Sequence, residues 1–286
     1  MIQRGLVRPF LLLAALVLAS TFVLAACGDD DEEGTATPTP ASGAIDISNV
    51  PELADGKLQI GSDIAYAPIE FYIEGTETPD GLDVDIAKAL GKALGVDVEF
   101  INSGFDGLIP ALQTEDFDVV MSAMTVNEER QKEIDFVDYV NVGTGILVPA
   151  GNPGGIKTLD DLCGITVAVQ LGTIQANLVE AQSAKCDKKI DIVTFDINPL
   201  AVEDLRTGGA DANLSDFPVA FVDADESDGE LEVLDLQIDP APYGIGLRKS
   251  STELKTALDE ALRHVMESGD YDKILEKWNL TAAALP

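Results

Sequence analysis

Between Met121 and Arg130 the chain reads MSAMTVNEER. The apolar run from Phe117 to Met121 predicts a buried strand, so Ser122 and Thr125 stand at the end of a strand. Arg130 follows in a charged, helix-like run, and its guanidinium can bind a carboxylate through paired donors. The spacing alone is equally consistent with a pocket for a small acid and with an exposed arginine on a surface helix.

Strand and helix patterns alternate on both sides of this stretch. Strands are predicted at residues 58–61, 96–100, 117–121, 166–170, 191–195, 210–214 and 243–247. Helices are predicted at residues 83–95, 108–112, 174–184, 199–206, 251–267 and 270–278, with another starting at 217. Asp83 is expected to cap the first helix and Gly95 to end it. This alternation is typical of the α/β class.

The N-terminal segment predicts export. Arg4 and Arg8 precede an apolar run over residues 10–26, and Leu-Ala-Ala-Cys ends it at Cys27. A charged start, an apolar centre and a small-residue site are typical of a signal peptide, here residues 1–26. The ending resembles a bacterial lipobox, which implies lipidation of Cys27. An uncleaved membrane anchor is the alternative, since the run nearly reaches the ~20 residues that span a bilayer.

Composition favours an extracytoplasmic globular protein behind a tether. Residues 27–54 are acidic and then rich in Thr and Pro, which predicts a solvated linker. With 18 Lys and Arg against 51 Asp and Glu, the formal net charge is -33, which excludes nucleic acid as a partner. Without Cys27, the cysteines left are Cys163 and Cys186, an even pair that predicts a disulfide in an exported chain.

Enzyme motifs are missing from the sequence. It contains no G-x-S-x-G, no H-E-x-x-H, no phosphate-binding P-loop and no dinucleotide-binding glycine motif after a strand. The single histidine, His264, removes most schemes of acid–base catalysis that depend on histidine. We therefore expect no catalytic residue, no metal site and no cofactor.

Polar turns follow several predicted strands. Open α/β sheets bind ligands at the carboxyl ends of their strands, although each turn alone is also consistent with an ordinary loop. These turns are residues 63–68, 102–107, 122–130, 171–174 and 215–216.

Taken in order, these turns and their flanking motifs resemble the amino-acid-binding proteins of bacterial ABC importers, solute-binding family 3. The resemblance covers residues 57–280. It is carried by Gly61-Ser62-Asp63, Tyr66-Ala67-Pro68, Gly81-Leu82-Asp83-Val84-Asp85, Phe105 to Leu112, Asp118 to Ser122 with Arg130, Gly172-Thr173 and Ser215-Asp216.

The resemblance implies a two-lobed, periplasmic-binding-protein-like fold of type II, with a hinge made of two chain crossings. Lobe 1 would combine residues 55–142 with residues 244–286, and lobe 2 would hold residues 143–243. The crossings are expected near residues 142–145 and 240–244. We expect a monomer.

The resemblance also implies a binding site for a free amino acid. Arg130, helped by Thr125 and Thr173, would bind the α-carboxylate. Asp216 and the carbonyl of Ser122 would bind the α-ammonium. The full implied set is Asp63, Tyr66, Phe105, Ser122, Ala123, Met124, Thr125, Arg130, Gly172, Thr173 and Asp216.

The remaining members of this set would contact the rest of the ligand. Tyr66 and Phe105 would sandwich it, and Ala123 and Met124 would form an apolar floor. A polar amino acid is the expected ligand, and Asp63, near the ligand's side chain, extends the expectation to a cationic one.

The expected function is therefore an exported, lipid-anchored receptor that delivers an amino acid to an ABC permease. It would be held at the bilayer through Cys27, on the extracytoplasmic face or in the periplasm. Two alternatives stay open. One is a secreted enzyme similar to cyclohexadienyl dehydratase, for which Asp63 or Glu70 would supply the acid. The other is a ligand-sensing partner of a membrane receptor.

Overall fold

A computed structural model describes residues 45–285, in which strands and helices alternate. The strands are β1 (Lys57–Ser62), β2 (Ala65–Tyr66), β3 (Glu70–Tyr72), β4 (Pro79–Asp80), β5 (Asp97–Asn102), β6 (Val119–Val120), β7 (Asp135–Pro149), β8 (Thr166–Gln170), β9 (Asp191–Phe195), β10 (Ala212–Asp216), β11 (Leu231–Val233) and β12 (Ile238–Leu247). The helices are α1 (Leu82–Leu94), α2 (Leu108–Gln113), α3 (Glu128–Glu133), α4 (Ile174–Lys185), α5 (Asn198–Arg206), α6 (Phe217–Asp225), α7 (Thr252–Glu267) and α8 (Asp270–Lys277). The α/β class is confirmed.

The main sheet consists of two parallel halves joined by a long antiparallel pair. Its strand order is β5-β1-β6-β12-β7-β10-β8-β9, and β11 adds to β7. Strands β5, β1 and β6 run parallel on one side, as do β10, β8 and β9 on the other. Between them lie β7 and β12, of 15 and 10 residues, and only these two central strands belong to both halves. A small sheet, β2-β3-β4, lies apart.

Each half of the sheet has its own apolar core, which gives the molecule its two lobes. In the first, Ile60, Leu90 and Leu258 from β1, α1 and α7 are almost fully buried together. In the second, Val169 of β8 and Val179 of α4 are fully buried. Each lobe therefore packs its helices mainly against its own half of the sheet.

Packing begins earlier in the chain than the sequence predicts. Val50 and Leu53 are buried, and Ile45 packs against the same core, so the last ten residues of the segment predicted as tether lie against lobe 1. The predicted signal peptide and Cys27 lie outside the described residues. Within residues 45–285, no helix combines the length and the apolar character needed to cross a membrane.

Several local predictions differ from the structure, and two of them bear on the site. Only Val119–Val120 form β6, although the N–H groups of Asp118 and Met121 on either side still donate to the carbonyls of Gln59 and Gly61 in β1. Helix α1 is capped by Gly81 rather than by the side chain of Asp83, since Gly81 has a φ of 134° that favours glycine. The Asp83 carboxylate instead points into the protein, where it accepts hydrogen bonds from the Ala123 N–H (3.0 Å) and the Tyr139 hydroxyl (2.7 Å).

The predicted disulfide is present. Cys163 and Cys186 are joined, with their Cα atoms 5.5 Å apart, and both lie in the apolar core of the second lobe. The bond closes a loop with a sequence separation of 23 residues around β8 and α4. It therefore constrains one lobe and leaves the central strands unlinked.

Candidate ligand-binding site

A cavity lies where carboxyl ends of strands from both lobes meet. β1 and β6 of the first lobe, and β8 and β10 of the second, end at its wall. This is the position at which open α/β sheets bind ligands. The lining residues are Asp63, Tyr66, Glu70, Phe105, Ser122, Ala123, Thr125, Arg130, Gln170, Thr173, Ile174, Gln175 and Asp216.

Arg130 is the cation of the cavity. Its backbone N–H donates to the side chain of Asn127, which caps α3 and fixes the arginine at the start of this short helix. The guanidinium donates to the carbonyl oxygens of Thr125 (2.6 Å) and Gly172 (3.2 Å), and its carbon lies 5.3 Å from the centre of the Phe105 ring. Burial lowers the pKa of Arg130 to about 10, so the side chain stays charged at neutral pH. Arg130, Thr125, Gly172 and Phe105 are called the arginine cluster below.

The N-terminus of α4 lies beside this cluster. Thr173 caps the helix by accepting from the Ala176 N–H (3.2 Å), while its hydroxyl donates to the carbonyl of Gln170 (2.7 Å). Gly172 has a φ of 77°, and a Cβ there would lie 2.9 Å from the Asp106 side chain, so only glycine fits this approach. The free N–H groups of a helix start favour an anion, which suits a carboxylate already drawn to Arg130.

Asp216 brings the opposite charge from the second lobe. Its carboxylate accepts from the Tyr66 hydroxyl (3.0 Å) and from the Gln175 amide (3.0 Å), and its own N–H donates to the Tyr66 hydroxyl (2.9 Å). Burial raises the pKa of Asp216 to about 6, against the opposing effect of these hydrogen bonds and of Arg130. Asp216 is therefore mostly ionised at neutral pH.

Further carboxyl groups converge on Ser122. The Ser122 hydroxyl accepts from the Asp63 N–H (2.9 Å) and donates to Glu70 Oε1 (3.0 Å). Asp63 Oδ2 also accepts from the Gln170 amide (2.6 Å), and burial raises the pKa of Asp63 despite that bond. Burial and the neighbouring charge of Asp83 raise the pKa of Glu70 well above its ordinary value. Asp63, Glu70, Asp83 and Ser122 are called the acid cluster below.

Three hydrogen-bonded contacts join the lobes across the cavity. Tyr66 of the first lobe bonds with Asp216 of the second, Arg130 donates to Gly172, and the Gln170 amide donates to Asp63. The lobes are therefore in a closed arrangement, with charged and polar groups of each presented to the other.

Nine of the eleven predicted site residues line the cavity. Gly172 contributes its carbonyl to the arginine cluster. Met124 does not line it: the side chain is almost fully buried in an apolar cluster with Leu108 and Phe117, because an apolar chain packs better there than beside charged groups. The predicted apolar floor is therefore reduced to Ala123.

The sequence reasoning assigned no ligand contact to three polar residues of the cavity, Glu70, Gln170 and Gln175. Gln170 ends β8, and Gln175 lies in the first turn of α4. Both flank the polar turn at residues 171–174, so the pattern that marked this turn as a candidate binding site could also have identified them. Glu70 lies in the three-residue strand β3, where the sequence pattern indicates neither the fold of the small sheet nor its burial.

Comparison with known proteins identifies the family. The sequence pattern of the bacterial extracellular solute-binding proteins, family 3, matches residues 58–281. The chain belongs to this family. The resemblance to this family that the sequence motifs indicated is therefore confirmed.

Relatives of known name bind different amino acids. The chain is 33% identical to the arginine-binding extracellular protein ArtP of Bacillus subtilis over 273 residues, covering 94% of this chain and 96% of that protein. It is 32% identical to the L-cystine-binding protein TcyJ of Escherichia coli over 224 residues, covering 78% and 82% of the two chains.

A solved structure shares the two-lobed fold. It is the amino acid ABC transporter substrate-binding protein AbpA from Streptococcus pneumoniae bound to L-arginine, with a TM-score of 0.72 and 26% identity, covering 82% of this chain and 99% of that one. These relatives are amino-acid-binding proteins, and their named ligands are arginine and cystine.

Proposed function

We propose that this protein captures an amino acid with a polar, cationic side chain outside the cytoplasm and delivers it to the permease of an ABC importer. One observation carries the proposal: Arg130 of one lobe and Asp216 of the other present opposite charges to the same cavity. An amino acid carries the complementary pair, a carboxylate and an ammonium, on one carbon atom. A ligand with one charged group satisfies only one of them, and a ligand without charged groups satisfies neither.

Each charged end of the ligand has a matching set of groups. The α-carboxylate binds the Arg130 guanidinium, with the Thr125 hydroxyl, the Thr173 N–H and the start of α4 as further donors. The α-ammonium donates to the Asp216 carboxylate and to the Ser122 carbonyl. Tyr66 and Phe105 flank the ligand from the first lobe.

Capture works by closure of the lobes. A zwitterion that touches both lobes binds the closed arrangement more tightly than the open one, and this difference in affinity drives closure. The hinge lies where β7 and β12 cross between lobes, near residues 142–145 and 240–244. The register of the pair is irregular between Ile238 and Ala241, which supports bending at that point.

Delivery needs the protein to stay at the membrane. A lipid on Cys27 and an acidic tether after it keep the receptor within reach of its permease. The test is metabolic labelling with a fatty-acid analogue, in which the wild-type chain takes up label and Cys27→Ala does not. Label on both chains, or on neither, contradicts the anchor.

Calorimetry tests capture itself. Full-length protein is titrated with each of the twenty amino acids, and we expect saturable binding of at least one cationic member. Silence from all twenty, with a cooperative thermal unfolding transition that shows a folded protein, refutes the proposal.

A reaction on the bound ligand is the competing function. The buried acid Glu70, which is protonated at a pH where an ordinary glutamate is not, is the group such an enzyme would use. We propose binding without chemistry. Incubation with prephenate or arogenate, followed by product detection, distinguishes the two, and turnover that Glu70→Gln abolishes would establish the enzyme.

A further inference from the structure

A second cavity lies on the flank of the central strands and is called the flank cavity below. Val142 of β7 and Gln237, the residue before β12, contribute to its lining. It shares no lining residue with the cavity of Arg130 and Asp216, so the two are separate. Its volume of about 560 Å³ suits a small molecule, since such ligands occupy sites of about 300 to 1,000 Å³, often between domains.

Both lobes build the walls of the flank cavity. The second lobe contributes Phe217 and Phe221 of α6, the helix that follows β10. The first lobe contributes Pro68 together with Trp278 and Leu280, which pack against its apolar core. The shape of the cavity therefore depends on how the two lobes lie relative to each other.

Aromatic side chains dominate the walls. Phe217, Phe221 and Trp278 line the cavity, and Phe221 is 55% exposed. Trp278 is held in place, because its Nε1–H donates to Asp85 Oδ2 (2.9 Å) and its ring meets that of Phe71 edge to face, with centres 5.9 Å apart. Aromatic rings pack well against other rings in stacked and edge-to-face arrangements. The walls therefore favour an aromatic ligand.

The lining offers no free charge to a ligand. Of the described residues that line the cavity, only Lys277 is charged, and its ammonium lies 2.6 Å from Asp85 Oδ2 and 3.7 Å from Asp80 Oδ1. The other polar side chains of the lining are amides, which can donate or accept a hydrogen bond. These amides belong to Asn141, Gln237 and Asn279. A charged ligand would lose water there without gaining an ionic partner, so a neutral ligand fits best.

We propose that the flank cavity binds a neutral aromatic small molecule, and that this molecule favours the closed arrangement of the lobes. A ligand that touches Phe221 of one lobe and Trp278 of the other binds the closed arrangement more tightly than the open one. Amino-acid capture favours the same arrangement, so each ligand raises the affinity for the other by the same factor. Only this coupling rests on the proposed function; binding in the flank cavity does not.

Trp278 gives the flank cavity its own optical signal, because it is the single tryptophan of the chain. The probe is N-phenyl-1-naphthylamine, a neutral aromatic amine that emits strongly in apolar surroundings. Its absorption overlaps tryptophan emission. A probe molecule in the flank cavity therefore quenches Trp278 and emits by energy transfer from it.

The experiment is a titration of the full-length protein in detergent with this probe, with excitation of Trp278. We expect saturable emission by energy transfer. Phe221→Ser removes an exposed aromatic wall and should weaken probe binding about fivefold or more, and Ala282→Phe, which fills the cavity from an exposed position, about tenfold or more.

Leu200→Ser is the matched control. Leu200 is 50% exposed on α5 and lies outside the flank cavity, so this variant should bind the probe as the wild type does. Probe taken up by the detergent is the same for every variant and cancels in the comparison. With a saturating amino acid that calorimetry has shown to bind, the probe affinity of the wild type should rise about threefold or more.

Three results separate the claims. Emission without saturation, or folded Phe221→Ser and Ala282→Phe variants that bind the probe as the wild type does, would overturn the site. Unchanged probe affinity beside a bound amino acid would overturn the coupling. Absence of binding by every amino acid refutes the proposed function instead, while saturable probe binding that Ala282→Phe removes still establishes the flank cavity.

Discussion

The arginine cluster and the acid cluster share one cavity but satisfy their charges differently. Arg130 has two carbonyl acceptors, an aromatic face and the attraction of Asp216. Glu70 has one hydroxyl donor, a hydrogen-bond contact with the neighbouring acid Asp83, and further acids around it. The first cluster can hold its charge permanently, whereas in the second the crowding of acids favours the neutral form of Glu70.

We propose that this difference divides the recognition of the ligand into two parts. The arginine cluster, with Asp216, would bind the α-groups that all amino acids carry. Asp63 of the acid cluster would lie near the side chain, in which the amino acids differ. Relatives that bind arginine and cystine are consistent with a common α-group site beside a variable one.

Removing the charge of Arg130 has the largest expected effect on ligand affinity. Arg130→Ala removes the partner of the α-carboxylate, so affinity for every amino acid falls by about a hundredfold or more. The thermal transition stays near that of the wild type, because Arg130 belongs to no apolar core. Titration calorimetry measures the affinity, and differential scanning calorimetry measures the thermal transition. Unchanged affinity contradicts the assignment of the carboxylate, and a matched Lys132→Ala variant in the same helix controls for loss of charge alone.

Loss of the Tyr66 contact between the lobes should lower ligand affinity by a smaller factor, and again for every amino acid alike. Tyr66→Phe deletes the hydroxyl that bonds with both the carboxylate and the N–H of Asp216, while the ring stays to flank the ligand. Affinity for L-arginine and L-glutamine should fall together, by about three- to tenfold. A loss confined to one ligand would place Tyr66 with the selective cluster instead.

The acid cluster also predicts how stability changes with pH. Folding raises the pKa of Glu70, so above its ordinary pKa the native state binds more protons than the unfolded state. The free energy of unfolding therefore falls as pH rises from about 5 towards 8. Glu70→Gln removes this contribution, so we expect its free energy of unfolding to fall less than that of the wild type over the same rise in pH. Chemical denaturation at both pH values measures this, and parallel pH curves contradict it.

The smallest effect on binding should come from the disulfide. Replacing Cys163 and Cys186 by serine lowers the stability of the second lobe by about 3 kcal/mol, since the bond closes a loop with a separation of 23 residues. Affinity for L-arginine should stay within about twofold, because the bond spans neither the cavity nor the central strands. A large loss of affinity would mean that the arginine cluster depends on how the disulfide holds α4 in place.

Much of the arginine cluster and of the helix start beside it could be predicted from the sequence, because turns after strands place their residues predictably. Thr125, Arg130 and Thr173 follow strand or turn signals and are found at the cavity wall. The acid cluster could not be predicted in the same way. Asp83 has the position of a helix cap, whereas its carboxylate bonds with the Ala123 N–H and the Tyr139 hydroxyl, which lie far from it in the chain.

The fold shows the same division between local and long-range information. The alternation of strands and helices predicted β8, β9 and the start of α6 to the residue. The 15-residue strand β7 was not predicted, because its pairing with β12 and β10 joins segments that are far apart in the chain. Met124 was placed in the cavity since its burial in an apolar cluster depends on α2, a contact that no local pattern encodes.

A crystal structure of the protein grown with L-arginine tests the two-part recognition most directly. We predict that the α-carboxylate bonds with the Arg130 guanidinium, the α-ammonium bonds with Asp216, and the ligand guanidinium lies within hydrogen-bond distance of Asp63. A ligand whose guanidinium points away from Asp63, or whose carboxylate lies elsewhere than on Arg130, would contradict the account.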